Sequence, residues 1–249
     1  MTLKAFKVFA VFAAALALAL FASGAANAQD LNIDQAAQGA GLSARVIQLF
    51  LLVTVLSMAP GIAMMITCLP FMVIVFSILR QAIGLQQAPP NMLIMSLALF
   101  LTYFVMEPVF AESWRQGIQP LLNHDITEAQ AFAKALAPFD AFMEHRVSPA
   151  AIDALTEVAP KRAAATGSAP LSILIPAFML SEIQRAFEVG FVIFLPFLII
   201  DLIVASVLMA MGMMMVPPAV VSLPFKLAFF VLANGWIEVA GAVVKGYGP

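Results

Sequence analysis

Apolar positions along this chain come in long unbroken runs, and short polar stretches separate them. The most developed pattern is Phe191–Lys226, FVIFLPFLIIDLIVASVLMAMGMMMVPPAVVSLPFK. One apolar arm carries a single acid, Asp201, and the other ends on a single base, Lys226. Between them stand Gly212, the triplet Met213, Met214 and Met215, and Pro217-Pro218, which together predict a break and therefore a helical hairpin. Upstream, Val46–Leu79 contains no charged residue and is interrupted by Pro60-Gly61 and Pro70. It predicts a helix to about Ala59, a bend, and a second helical piece ending at Arg80. Leu79–Asn91 (LRQAIGLQQAPPN) is a polar connector, and Met92–Phe110 predicts another apolar helix that ends at Glu107-Pro108. Leu171–Phe187 is apolar again but holds Glu182 and Arg185, with Glu188 just beyond. Counted by hydropathy, the runs after the N-terminal segment make four main spans.

The stretch Ala111–Ala169 breaks this pattern. It carries many of the charges, among them Glu112, Arg115, Asp125, Glu128, Lys134, Asp140, Glu144 and Arg146, and both histidines. Ala131, Phe132, Ala135, Leu136, Phe139, Phe142 and Met143 recur at helical spacing, which predicts amphipathic helices facing water. Ala159–Pro170 reads as a loose linker. At the other end, Lys4 and Lys7 precede the uncharged Phe9–Ala22, and Ala26-Asn27-Ala28 has the form of a cleavage site. An apolar core of about 14 residues is short for a span of about 20, so a cleavable signal peptide over residues 1–28 is expected, an uncleaved first span being the alternative. The expected organisation is then an exported lead (29–45), a first hydrophobic hairpin region (46–110), a polar helical region outside the cytoplasm (111–169) and a second hydrophobic hairpin region (170–249).

Composition agrees with the pattern. Hydrophobic residues make up 63% and charged residues 10% of the chain, against about 45–50% and about 25% in soluble domains. A net charge of -2 does not suit nucleic-acid binding. Cys68 is the only cysteine, so there is no disulfide framework. There is no G-x-x-x-x-G-K-[ST] and no H-E-x-x-H, so neither a P-loop nor a zincin helix is written in the chain, and no cofactor is expected. His124 and His145 read as surface histidines rather than metal ligands. Asp201 has no second acid in a proteolytic motif, which leaves catalysis the weaker reading.

The charges inside apolar segments are the informative feature. A charge at bilayer depth costs about 2.5–3.5 kcal/mol on insertion scales, and such groups pair or face water. Glu182 and Arg185, at i,i+3, can pair on one helix face. Asp201 and Lys226 then need partners, from neighbouring helices, from neighbouring copies or through a proton relay. Most of the fifteen methionines are gap-filling core residues. A triplet at a helix break differs, because non-helical backbone at membrane depth is tolerated only in protein or lining a cavity. Rings of such side chains would form a soft seal; plain packing is the alternative.

Three stretches carry a family resemblance: LRQAIGLQQAPPN, LALFLTYFVMEPVF and the long run LIPAFMLSEIQRAFEVGFVIFLPFLIIDLIVASVLMAMGMMMVPPAVVSLPFKLAFFVLANGW. Over about Leu42–Trp236 the chain resembles the FliP/SctR family of type III secretion export-gate proteins, most loosely across Ala111–Ala169. The resemblance implies an all-α, polytopic fold of membrane-associated helical hairpins with a periplasmic amphipathic helical region, assembled as a helical oligomer. It implies a pore-forming, non-enzymatic subunit of the bacterial inner membrane and flagellar basal body, with FliQ and FliR as companions and FlhA and FlhB as further partners. Unfolded flagellar proteins would be the cargo. By the same resemblance Met213, Met214 and Met215 correspond to a gasket closing the pore, and Glu182 and Lys226 to a salt bridge between adjacent subunits. Asp201 and Arg185 remain as buried intramembrane charges. In that family the hairpins sit in an assembly lifted largely out of the bilayer plane, so four apparent spans need not cross it. The chain departs from the family pattern at Thr67–Val73 (TCLPFMV), which lacks a common arginine, and at Asn234-Gly235-Trp236, where Asp-Gly-Trp is common. A virulence injectisome subunit is the near alternative and a proton-coupled small-solute transporter the distant one. A transporter predicts an internal repeat with matching broken helices, and none stands out.

Overall fold

The computed structural model describes residues 40–85, 87–158, 170–213 and 215–248. The expected signal peptide, most of the lead and most of the linker lie outside them. Every regular element among the described residues is helical: α1 Ala40–Met65, α2 Leu69–Ile83, α3 Asn91–Ser113, α4 Gln119–Leu122, α5 Glu128–Arg146, α6 Pro149–Val158, α7 Leu171–Ala210, α8 Pro218–Leu232 and α9 Gly235–Lys245. A π-helical turn, Trp114–Ile118, joins α3 to α4. The all-α expectation holds. The chain divides into two units, residues 1–59 and 60–249. In the first, the described part is the body of α1, with Val46, Ile47, Phe50 and Val53 exposed.

The second unit is built around α2. Cys68, Leu69, Met72, Val75, Phe76, Leu79, Ala82 and Ile83 recur every three or four positions and all are buried. The stripe makes one broad apolar face, which Phe71 widens further, and α2 packs along α7 and against α3 and α8. Proline explains where α2 starts. Pro70 sits in its first turn, where the missing N–H would have no partner in any case, and the break falls at Ile66–Cys68. The expected bend at Pro60-Gly61 is a correction: α1 runs through both residues. An interior proline need not end an apolar helix when neighbouring groups re-satisfy the carbonyl it frees. Similarly α3 does not stop at Glu107-Pro108 but continues to Ser113.

In the polar region α5 and α6 follow the π-helical turn and the short α4. Thr127 and Gln130 make a capping box that starts α5, each side chain bonded to the other's backbone N–H. Of the apolar positions expected on its inner face, Ala131, Phe139 and Met143 are buried, whereas Phe132 is exposed.

α7 is the longest helix among the described residues. It runs 40 residues without interruption, through Pro176 and Pro196, and at 1.5 Å per residue is about 60 Å long, twice the roughly 30 Å of a bilayer core. Asn91–Leu122 and Leu171–Ala210 are each long and apolar enough to cross a membrane. Pro218–Leu232 and Gly235–Lys245, bent by 61°, make a third candidate if taken together. The described residues therefore hold two or three such spans.

Candidate functional site

The tip of the α7–α8 hairpin is built by a helix stop. Gly212 has φ +74°, the left-handed conformation that glycine adopts without a Cβ penalty. Its N–H donates to Met209 O at 3.0 Å, and Met213 N–H reaches back to Leu208 O at 3.0 Å. This is a Schellman closure, and it turns the chain out of α7 at the methionines. Met213 is partly exposed and Met215 is 98% exposed; Met214 lies outside the described residues. Pro217 and Pro218 start α8, Pro218 in its first turn. Below the tip the arms present Leu202, Ile203, Val207, Met209, Met211, Val220 and Phe225 outward.

The arms are tied at their base by Asp201 and Lys226. Lys226 Nζ lies 2.6 Å from Asp201 Oδ2 and donates to Ala82 O at 3.2 Å. Ser222 Oγ donates to Asp201 Oδ1 at 2.5 Å. The sequence on α8 explains the inward charge: Ser222, Lys226 and Phe230 fall at i, i+4 and i+8 and are all buried. Ala82 belongs to the last turn of α2, where unpaired carbonyls and the helix dipole favour a cation. One lysine therefore joins α7, α8 and α2, and the partner expected from a neighbouring helix is found.

A second cluster forms around Glu182, whose side chain is fully buried. Arg146 Nε donates to Glu182 Oε1 at 3.0 Å, and Arg185 Nη1 stands 3.7 Å from the same oxygen. Tyr247 Oη donates to Glu182 Oε2. Arg146 also donates from Nη1 to Gly246 O at 3.1 Å, and its guanidinium stacks 3.8 Å from the centre of the Tyr247 ring. Burial, and then the adjacent carboxylate of Glu182, hold the Tyr247 hydroxyl protonated well above the usual phenol range. Next to the cluster, Ser148 N–H donates to Ser181 Oγ at 2.9 Å, which fixes the start of α6 to α7.

The i,i+3 pairing of Glu182 with Arg185 is present, as the weaker of the two arginine contacts. Glu182 and Lys226 belong to different clusters within the protomer. Glu182 and Asp201 are 19 positions apart on α7, about 28 Å along its axis. Sequence reasoning missed Arg146 and Tyr247. Arg146 did carry a signal, standing seven residues after Phe139 and three after Met143, on the face of α5 that turns inward. Tyr247, a lone aromatic among glycines, carried none. Among the described residues no three His, Cys, Asp or Glu side chains converge closely enough to hold a metal ion.

Comparison with known proteins places this geometry. The model of the FliP family matches residues 52–243. The flagellar biosynthetic protein FliP of Caulobacter vibrioides is 49% identical over 237 residues, which cover 94% of this chain and 88% of that protein. The protein of the same name from Agrobacterium fabrum is 44% identical over 95% of this chain and 98% of its own length. The Bacillus subtilis protein is 40% identical over 87% and 98%. An uncharged methionine turn on a charge-clamped apolar hairpin thus stands inside the matched region, and the chain belongs to the FliP family.

Proposed function

We propose that this chain is a pore-forming core subunit of the flagellar type III protein export gate, passing unfolded flagellar proteins across the inner membrane. Family membership supports the flagellar reading, since the relatives it matches are named flagellar biosynthetic proteins. The observation that carries the pore is the hairpin tip. Met215, almost wholly exposed, ends a hairpin whose outward face is apolar to its last turn. One protomer offers these side chains no cover, and copies arranged around an axis would. Met213, Met214 and Met215 from each copy would then form a ring of flexible, polarizable side chains that closes to ions and yields to a polypeptide.

The remaining partners follow from the same reading. Copies of this chain would assemble with FliQ and FliR, and FlhA, FlhB and the basal body would surround the assembly. A Glu182–Lys226 pair between adjacent subunits would have to draw Glu182 from Arg146 and Tyr247, and Lys226 from Asp201. Cysteines placed at both positions should give an oligomer ladder on oxidation of the assembled complex; monomer alone would reject that pair.

The deciding experiment is purification of the tagged chain in a gentle detergent, produced with its chromosomal neighbours, followed by mass spectrometry of the intact particle. Several copies with two smaller hydrophobic proteins are expected. A lone monomer or a simple dimer would overturn the reading.

A further inference from the structure

The Glu182 cluster joins segments far apart in the chain. Arg146 ends α5, Glu182 lies in α7, and Gly246 and Tyr247 form the turn that follows α9. The turn holds on by three different means. Its carbonyl at Gly246 accepts from Arg146, its ring carries the same guanidinium, and its hydroxyl donates to Glu182. The Tyr247 ring also meets Phe71 of α2 edge-on at 5.3 Å and stacks on Phe142 of α5 at 6.4 Å. Arg146 is therefore shared between an acid in the long helix and a carbonyl in the turn.

α9 is a short, mostly uncovered helix. Of the α9 residues only Gly235 and Val243 are buried, and Ile237 is exposed. Between α7 and α9 the surface opens into a groove of about 510 Å³, lined by Val189, Val192, Ile193, Val239 and Val243 with Glu188 and Glu238 at its edge. α9 itself rests on the core through Trp236, Val239, Ala240 and Val243, and the Gly246–Tyr247 contacts secure the end at which it stops.

We propose that the Gly246–Tyr247 turn is a latch. Closed, it pins the end of α9 and the end of α5 to the first third of α7 and completes the hydrogen bonding of Glu182. Open, it frees the end of α9 and leaves the Glu182 carboxylate to Arg146 and Arg185. The closed state and its release are properties of the single chain. Neither rests on the export-gate reading.

Hydrogen exchange on the full-length protein in detergent tests the latch directly. Tyr247→Phe keeps the ring stack and removes the hydroxyl. Protection over Val243–Gly248 and over Phe142–Arg146 should fall about tenfold, the scale of one hydrogen bond to a charged group, while protection in α2 and α3 stays unchanged. Arg146→Lys keeps the charge but gives up the flat stack and the forked geometry, and should open the same two segments. In the Glu182→Gln background Tyr247→Phe should have less effect than in the parent, because the two changes remove one interaction. Unchanged exchange in these segments would overturn the proposal. So would an equal loss across all helices, which would make Tyr247 an ordinary core residue. Either result leaves the export-gate reading to its own test, since that one reads subunit composition.

Discussion

Single charges in an apolar chain are constrained by what would happen to their partners. Lys226 Nζ and Asp201 Oδ2 are in direct contact, yet the lysine side chain is 7% exposed and the aspartate 31%. The two deletions are therefore unequal. Asp201→Leu strands a buried ammonium, and breaking a buried pair in this way costs about 3–5 kcal/mol. Lys226→Met strands a carboxylate that keeps Ser222 as a donor and has a path to solvent, so its cost should be clearly smaller. The double variant should recover most of the loss, since a well-packed apolar pair can replace a buried ion pair. Thermal unfolding in detergent would order the four proteins; equal damage from both single changes would contradict the burial asymmetry. The bare presence of an acid and a base on facing arms was legible in the sequence. Their pairing across 25 positions was legible only as one alternative among several, because charge in a sequence does not say which neighbour folds beside it.

Helix packing here is governed by space. In lipid or in an apolar assembly helices associate through close contact and hydrogen bonds rather than by escape from water, so small residues mark the tight crossings. A Cβ added at Gly190 of α7 would lie 2.4 Å from Ile78 Cδ1 of α2, the mobile end of a side chain. A Cβ added at Gly117 would lie 2.6 Å from Ala135 Cβ and 2.8 Å from its backbone nitrogen, where nothing can swing aside. Gly190→Ala should therefore cost about 1–3 kcal/mol, the range for overpacking, and Ile78→Val should restore part of it. Gly117→Ala should cost more and find no such rescue. Urea or thermal melts of the set would decide; equal effects at the two glycines would mean that backbone and side chain yield alike. The existence of the main apolar helices could be read from hydropathy, whereas the ends could not. Pro60 suggested a bend and Pro108 an end, and the helices run through both, as α7 runs through Pro176 and Pro196. Their tolerance depends on surroundings that no local pattern encodes.

The single protomer leaves much apolar surface open. Large apolar side chains cover the outer faces of α3, α7 and α8, and α7 is too long for all of that surface to be met by one bilayer. On the export-gate reading, part of it is met by neighbouring copies in an assembly. The tip is the place where this bears on transport. Replacing Met213, Met214 and Met215 together by alanine should leave assembly intact, since none of the charged contacts is touched, and should let ions through. Conductance across membranes holding the assembled variant would measure this; an unchanged conductance in a fully assembled variant would reject the seal. The Glu182 cluster was the least legible part of the candidate site. Its members are 36 and 65 positions apart along the chain, and one of them is a tyrosine in a glycine-rich turn with no periodic pattern around it.

The position of the Asp201–Lys226 tie gives the hairpin the mechanics of a cantilever. From Asp201 to the end of α7 is nine residues, about 14 Å of free helix at 1.5 Å per residue, and α8 returns over a similar length. The root is clamped by charge and the free end turns on a single glycine in a left-handed conformation. A polypeptide pushing past the tip would meet its compliance in the methionine turn and its stiffness at the root, so deflection would spend itself locally and spring back. Lengthening the arms by one helical turn each, beyond the clamp, would soften the tip without altering its chemistry.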